Sequence, residues 1–447
     1  MQLDDASFLI SETDLRLERG ASLLRWGALV NAALAALLVL AGLIASTNLI
    51  AGMFDALSGV LLTRADAVLP AGSGGDAALA AVIMMLLVNT SLFLVLMVGV
   101  LAREWWALPA IALLVILNLL AVLLAGFTPG VLTVIFALWG AAALRQELGL
   151  FRINPVMLKE LRGRMRGVRA FAVLTVYLVL MSAFTILLYA IYSSVARSGA
   201  SAAAGEVGRV LFAGVVGIEL LLIVFIAPAF TAGAITSERE RQTYDLLRTT
   251  LLASPSFVIG KLEAALSYIV LLLAAGIPLQ SIAFLFGGVS ETEVVLSLLI
   301  LLVTAIVLGT IGIYFSAAMP RTLTASVRAY SIILGVMFIA PVILSTLISI
   351  LYNFFFGYQG APTSPLAESL YVYATTALTS VNPVATALST QQLLVERQVA
   401  GFWSYTLSSS GTVIPMVSPW ILFTIIYLAA SAILIVFTIR QTRSADI

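Results

Sequence analysis

Residues 294–318 read VVLSLLILLVTAIVLGTIGIYFSAA, twenty-five positions without one Asp, Glu, Lys, Arg or His. About 20 apolar residues in a helix cross the hydrocarbon of a bilayer. In lipid every backbone N–H and C=O must be satisfied within the protein, which leaves helices or closed barrels. This run is too long and too uniformly apolar for a barrel strand, so it reads as a membrane-spanning helix. Nine other runs share its character, at about 24–46, 78–101, 105–125, 128–144, 171–193, 210–233, 264–287, 329–352 and 419–440. The expected fold is therefore an all-α polytopic membrane protein with about ten transmembrane helices. Composition agrees, with 62% hydrophobic residues, 10% charged residues and a mean hydropathy of +1.12.

Composition also excludes. A formal net charge of +1 gives no basic field aimed at nucleic acid. The sequence has no Cys and no His. That removes disulfides, thiol catalysis, zinc sites of the usual kind, Cys-ligated iron–sulfur clusters and haem held by His. The first apolar run is too long for the core of a signal peptide and follows some twenty polar residues, so a retained anchor is expected.

Basic residues order the spans across the membrane. If ten spans alternate, one side receives Arg16, Arg19, Arg25 and Arg103, then seven basic residues between Arg145 and Arg169. The same side takes Arg239, Arg241, Arg248, Lys261, Arg321, Arg328, Arg440 and Arg443. The other side holds only Arg64, Arg197, Arg209 and Arg397. Both termini are thus expected in the cytoplasm. Residues 1–23 form a cytoplasmic N-terminal segment and 24–145 a four-span block. Residues 146–170 form a linker and 171–447 a six-span core. Thr128-Pro129-Gly130 makes a tight turn that folds the third and fourth spans into a helical hairpin.

The linker has a pattern of its own. Asn154 suits an N-cap and Pro155 the first helical position. Met157, Leu158, Leu161, Met165 and Val168 share one face, while Lys159, Arg162, Arg164, Arg166 and Arg169 cover much of the rest. This is a basic amphipathic helix for the membrane interface, or a generic cluster of positive charge beside a span. The loop after the sixth span reads ITSERERQTYDLLRTTLLASPSFVIGKL, Ile235–Leu262, with six charges between Glu238 and Arg248. Ser237 and Glu240 fit a capping box, so a helix is expected from about Glu238. Tyr244, Leu247 and Leu251 recur at helical spacing beside Glu238, Arg241, Asp245 and Arg248, and Ser254-Pro255 ends the helix. Mixed charge around an apolar stripe suits a groove on a soluble partner. A solvated spacer between two spans accounts for the same pattern.

Three stretches resemble ABC-2 type transporter permeases. Asn154-Pro155-Val156-Met157-Leu158-Lys159-Glu160-Leu161-Arg162 looks like the entry to that family's core. Ile235–Leu247, followed by Ser254-Pro255 and Gly260-Lys261-Leu262, resembles the loop between its second and third core spans. Asn382-Pro383-Val384-Ala385-Thr386-Ala387-Leu388 is similar to a segment of its last exterior loop. The resemblance covers about 150–447. Gln242 stands where the family often has Gly, and Thr249–Ala253 replaces a more usual Thr-Pro-Leu. The four-span block matches nothing in the family core.

The resemblance implies a non-enzymatic permease subunit of an exporter, paired with a second permease copy and driven by separate cytoplasmic ATPase subunits that carry ATP and Mg. Asn154, Pro155, Lys159, Glu160, Arg162, Arg164 and Arg166 would then belong to an elbow helix spanning 154–169. Ser237, Glu238, Arg239, Glu240, Arg241, Tyr244, Asp245, Leu247 and Arg248 would form a coupling helix at about 237–250 that docks on the ATPase. The implied location is a prokaryotic plasma membrane. The chain has no phosphate-binding G-x-x-x-x-G-K-[ST] loop and is expected to hold no cofactor of its own.

Inside the spans, Glu219 is the deepest ionisable residue of the core and a candidate for a translocation path, with Pro228 and Pro278 as expected kinks. A structural contact between helices is the plainer role for Glu219. Asn31, Asn89 and Asn118 are expected to hold helices together. The exterior loop 353–418 is aromatic and nearly uncharged, with a helix expected from Pro383 towards Gln398, and should fold back on the membrane face. Two other functions fit less well. A secondary transporter usually carries more than one buried acid or a clearly broken helix. A lipid-modifying membrane enzyme needs acids, His or Ser clustered at one face.

Overall fold

The computed structural model describes residues 12–45, 59–64, 75–147, 149, 151–166, 168–196, 201–244, 253–285, 287–356, 365–408, 411 and 413–444. Among these, nine helices are long and apolar enough to cross a membrane, and the chain is an all-α polytopic membrane protein. It divides into two compact units. One comprises 1–154, 355–370 and 402–417; the other comprises 155–354, 371–401 and 418–447.

The first unit contains α1 (Glu12–Ala45), α2 (Gly75–Leu101), α3 (Ala107–Leu120) and α4 (Gly130–Leu144). Helix α1 starts well before residue 24, so Arg16, Arg19 and Arg25 lie on it. A π-helical turn at Ala121–Ala125 extends α3, and Gly126 closes it in the left-handed region at φ 68°. The expected fourth span is the short one. Helix α4 has 15 residues and is about 22 Å long, against about 30 Å of hydrocarbon. It is shortened at its start, where Gly130 N–H bonds Phe127 O at 3.1 Å across Thr128-Pro129.

Contacts at both ends show the four helices alternating. At one end Arg16 reaches Gln146 and pairs with Glu147 at 3.4 Å, and Asn154 Nδ2 donates to Glu104 at 2.7 Å. At the other, Thr63 and Arg64 N–H bond Gly126 O and Ala125 O, and Thr128 N–H bonds Leu61 O. Between the ends runs a buried polar chain. Asn89 and Asn118 exchange amide hydrogen bonds of 2.9 and 3.1 Å. Asn89 also donates to Thr133 Oγ1 at 3.3 Å, and Thr133 donates to Asn31 at 3.1 Å. One residue from each of α1, α2, α3 and α4 thus joins a network that an apolar surround makes costly to break.

The second unit contains α5 (Pro155–Met165), α6 (Val168–Ala196), α7 (Ser201–Thr231), α8 (Thr236–Glu240), α9 (Ser254–Leu285) and α10 (Glu291–Ala318). Then follow α11 (Thr322–Leu334), a π-helical turn at Gly335–Ile339, and α12 (Ala340–Phe356). Next come α13 (Pro365–Thr379), whose residues up to Leu370 belong to the first unit, α14 (Pro383–Arg397) and α15 (Pro419–Ser444); between α14 and α15 the chain returns to the first unit with β1 (Phe402–Thr406) and β2 (Val413–Val417). Helix α10, the run that opened the sequence reading, is the most buried and packs on α7, α11 and α15. It can approach α7 closely because Gly312 has no Cβ; one would meet Thr231 Oγ1. By contrast α6 and α12 turn Phe171, Val179, Ile186, Val342, Ile350 and Phe354 outward.

The described part of segment 353–418 contains helices and a hairpin. Helix α14 begins at Pro383, with Asn382 accepting from Val384 N–H at 2.9 Å and Ala385 N–H at 3.1 Å, and ends on Gln398 at φ 53°. Strands β1 and β2 pair antiparallel from Phe402↔Val417 to Thr406↔Val413, and pack on α2 within the first unit. Alternation was too weak in this aromatic stretch for the hairpin to be read from sequence.

Candidate functional site

The polar end of the second unit is built around α8, which has only five residues. The capping box expected from Ser237 and Glu240 does not form. The residue before the helix is Ile235, which offers no side-chain cap. Ser316 of α10 supplies the cap instead, its Oγ accepting from Ile235 N–H at 2.8 Å and Thr236 N–H at 3.1 Å. Orphan donors at a helix start need an acceptor, and here it comes from a neighbouring helix.

The helix stops early for a readable reason. Gln242 N–H bonds Arg239 O at 3.0 Å, and Thr243 N–H bonds Glu238 O at 3.0 Å. Gln242 itself adopts φ 57°. This is a Schellman termination, with glutamine at the left-handed position that glycine favours. The continuous helix expected over 237–250 is therefore interrupted after Glu240. Tyr244 follows, buried edge-on to Phe257 at 6.1 Å. Asp245, Leu247 and Arg248 lie outside the described residues.

The charges of α8 are bonded within the unit, Glu238 and Arg239 half-buried and Glu240 at the surface. Lys261 on α9 has 4% of its side chain exposed and bridges Glu238 of α8 at 3.1 Å and Glu160 of α5 at 3.0 Å. Thr243 Oγ1 donates to the second Glu238 oxygen. Arg239 donates to Ala317 O at 2.9 Å and Met319 O at 3.3 Å, satisfying carbonyls at the C-terminus of α10. Glu240 accepts from Thr322 N–H at 2.8 Å and Thr322 Oγ1 at 2.9 Å, at the first residue of α11. The loop is thus bound to α5, α9, α10 and α11 at once. Arg241 remains exposed.

Helix α5 starts at Pro155 as expected but ends at Met165, short of 169; Arg166 forms a bend and Arg169 belongs to α6. Arg164 turns inward, donating to Phe230 O at 3.1 Å with its guanidinium 5.1 Å from the Phe230 ring. Lys159 and Arg162 are exposed. Between α5 and the α8 loop lies a cavity of about 580 Å³, with Lys159, Arg164, Ser237, Arg241 and Thr243 in its wall.

Deep in the same unit, Glu219 of α7 is fully buried. Gln280 of α9 donates to one oxygen at 2.6 Å and Tyr177 of α6 donates to the other at 3.5 Å. Gly276 makes room, since a Cβ there would meet the carboxylate. Pro228 and Pro278 lie inside α7 and α9. Sequence reading missed Gln280, Ser316 and Thr322. Gln280, an amide in an apolar span two residues past Pro278, carried a signal; Ser316 and Thr322 carried none. No protein-family model matches the sequence, and no curated protein matches it.

Proposed function

We propose that this chain is the membrane-spanning subunit of an ATP-powered ABC-2 type exporter, working as a pair with a second permease copy. A separate cytoplasmic ATPase, carrying ATP and Mg, takes hold at the α8 loop and the exposed basic face of α5. Both termini then lie in the cytoplasm of a prokaryotic cell. One observation carries the reading: α8 is a short lever tied by Lys261, Arg239, Glu240 and Ser316 to four helices of the bundle. A push on such a stub moves α10 and α11 without first stretching a slack loop. A loop that merely spaced two spans would need none of these bonds.

The bonds made by these charges also decide how the reading is tested. Changing Glu238 or Glu240 would break internal bonds and confuse docking with folding. Arg241→Glu, at an exposed position, combined with Arg248→Glu further along the same basic motif, reverses loop charge without touching those bonds. Co-purification with the ATPase encoded alongside this chain should be lost in that variant, while its yield and melting temperature match the parent. Retained, ATP-responsive association would contradict the docking site.

A second reading, an ion-coupled secondary transporter, is favoured by the Glu219–Gln280–Tyr177 cluster alone. Gradient-driven, ATP-independent uptake in vesicles, abolished by Glu219→Gln, would support it over the exporter.

A further inference from the structure

At the opposite end of α10 from α8 lies a second cavity, of about 250 Å³, walled by α7, α10 and α14. Its floor and sides are apolar, from Phe212, Leu220, Leu296, Ile300, Ala387 and Leu394. Four polar residues, Glu293, Ser297, Thr390 and Gln391, break that surface. Glu293 is 6% exposed and Thr390 is 2% exposed, and both line the cavity. Glu293 Oε1 accepts from Ser290 N–H at 3.1 Å and Ser290 Oγ at 3.0 Å, which completes a capping box at the start of α10. Glu293 Oε2 is buried and has no hydrogen-bond partner, and the same is true of Thr390 Oγ1.

A buried oxygen without a donor is costly, and such groups call for an explanation. Here the cap fixes one carboxylate oxygen, the helix N-terminus favours the negative charge, and the other oxygen is left beside empty apolar space. Among the described residues, Glu293 is the only ionisable one in that wall. Ligand pockets commonly combine an apolar lining with a few placed polar groups, and this volume lies just below their usual range of about 300–1,000 Å³, which suits a small ligand. The complementary molecule has a compact apolar body and a protonated amine that donates to Glu293 Oε2 and Thr390 Oγ1.

We infer that the cavity between α7, α10 and α14 is a binding site for a compact lipophilic amine, read by the free oxygen of Glu293. Glu293 and the α8 lever stand at the two ends of α10, about 35 Å apart along its axis. The site needs no ATPase, so its test is separate from that of the transport reading.

The test uses the full chain in phosphatidylcholine nanodiscs and radiolabelled 1-adamantylamine. One saturable site is expected. Glu293→Gln should weaken binding at least tenfold while keeping the cap, because glutamine also completes a capping box. The neutral isostere 1-adamantanol should compete at least tenfold less well than unlabelled amine. Val384→Trp, at a half-exposed position of the wall, should block the site with Glu293 intact. In nanodiscs containing phosphatidylethanolamine, unchanged affinity indicates a free amine as the natural ligand; reduced affinity indicates that the lipid's own ammonium fills the site. Absence of saturable binding, equal binding by Glu293→Gln, or equal competition by the alcohol would overturn the proposal.

Discussion

Lys261 has 4% of its side chain exposed, and its ammonium touches two glutamates from two different helices. A buried cation of this kind adds little net stability over an apolar residue, but removing it strands its partners. Lys261→Ala should lower stability by about 2 kcal/mol, below the usual figure for a buried pair because Glu160 and Glu238 keep 23% and 18% exposure. Thermal unfolding of the purified chain would show this as a lower midpoint. Adding Glu160→Gln and Glu238→Gln to Lys261→Met should recover most of the loss. If Lys261→Ala melts with the parent, the triad does not hold α8. The sequence displayed these three residues plainly as charges near spans. It could not show that Lys261, Glu160 and Glu238 face one another, since they are separated by 101 and 23 residues.

Among the elements, α8 departs furthest from its sequence pattern. Apolar spacing through Tyr244, Leu247 and Leu251 favoured a helix continuing past Glu240, yet the chain turns at Arg241–Gln242. Bonds to Ser316 and Thr322 fix both ends of α8, and tertiary bonds outweigh local propensity in so short a helix. Glutamine at φ 57° is strained by its Cβ where glycine is not. Gln242→Gly should therefore stabilise the loop by about 1 kcal/mol, read as a rise in melting temperature. A fall would mean that the glutamine side chain makes a contact worth more than the strain. Helices α5 and α14 were legible because Asn-Pro marks both starts. The spans were legible because apolar length is a local property. The hairpin β1–β2 and the cap from Ser316 were not, because both depend on partners distant in sequence.

Across the whole molecule, alternation of the helices rests on contacts at their ends in each unit. In the second unit Arg209 Nε donates to Gly288 O at 2.8 Å at one end, while Glu240 meets Thr322 at the other. The sequence contains no cysteine, so single cysteines can be introduced without background. Cysteine at Arg162 or Arg241 should react with a membrane-impermeant maleimide only from the cytoplasmic side. Cysteine at Glu291 or Glu396 should react only from outside. The reverse pattern would invert the proposed orientation and remove the α8 loop from any cytoplasmic ATPase. The central claim is that this loop is the ATPase's point of attachment. Its most direct test is co-purification of the full chain with that ATPase, comparing the parent with Arg241→Glu plus Arg248→Glu. The account predicts association in the parent, and loss in the variant with folding unchanged. An ATPase that stays bound to the well-folded variant, or never binds the parent, would contradict it.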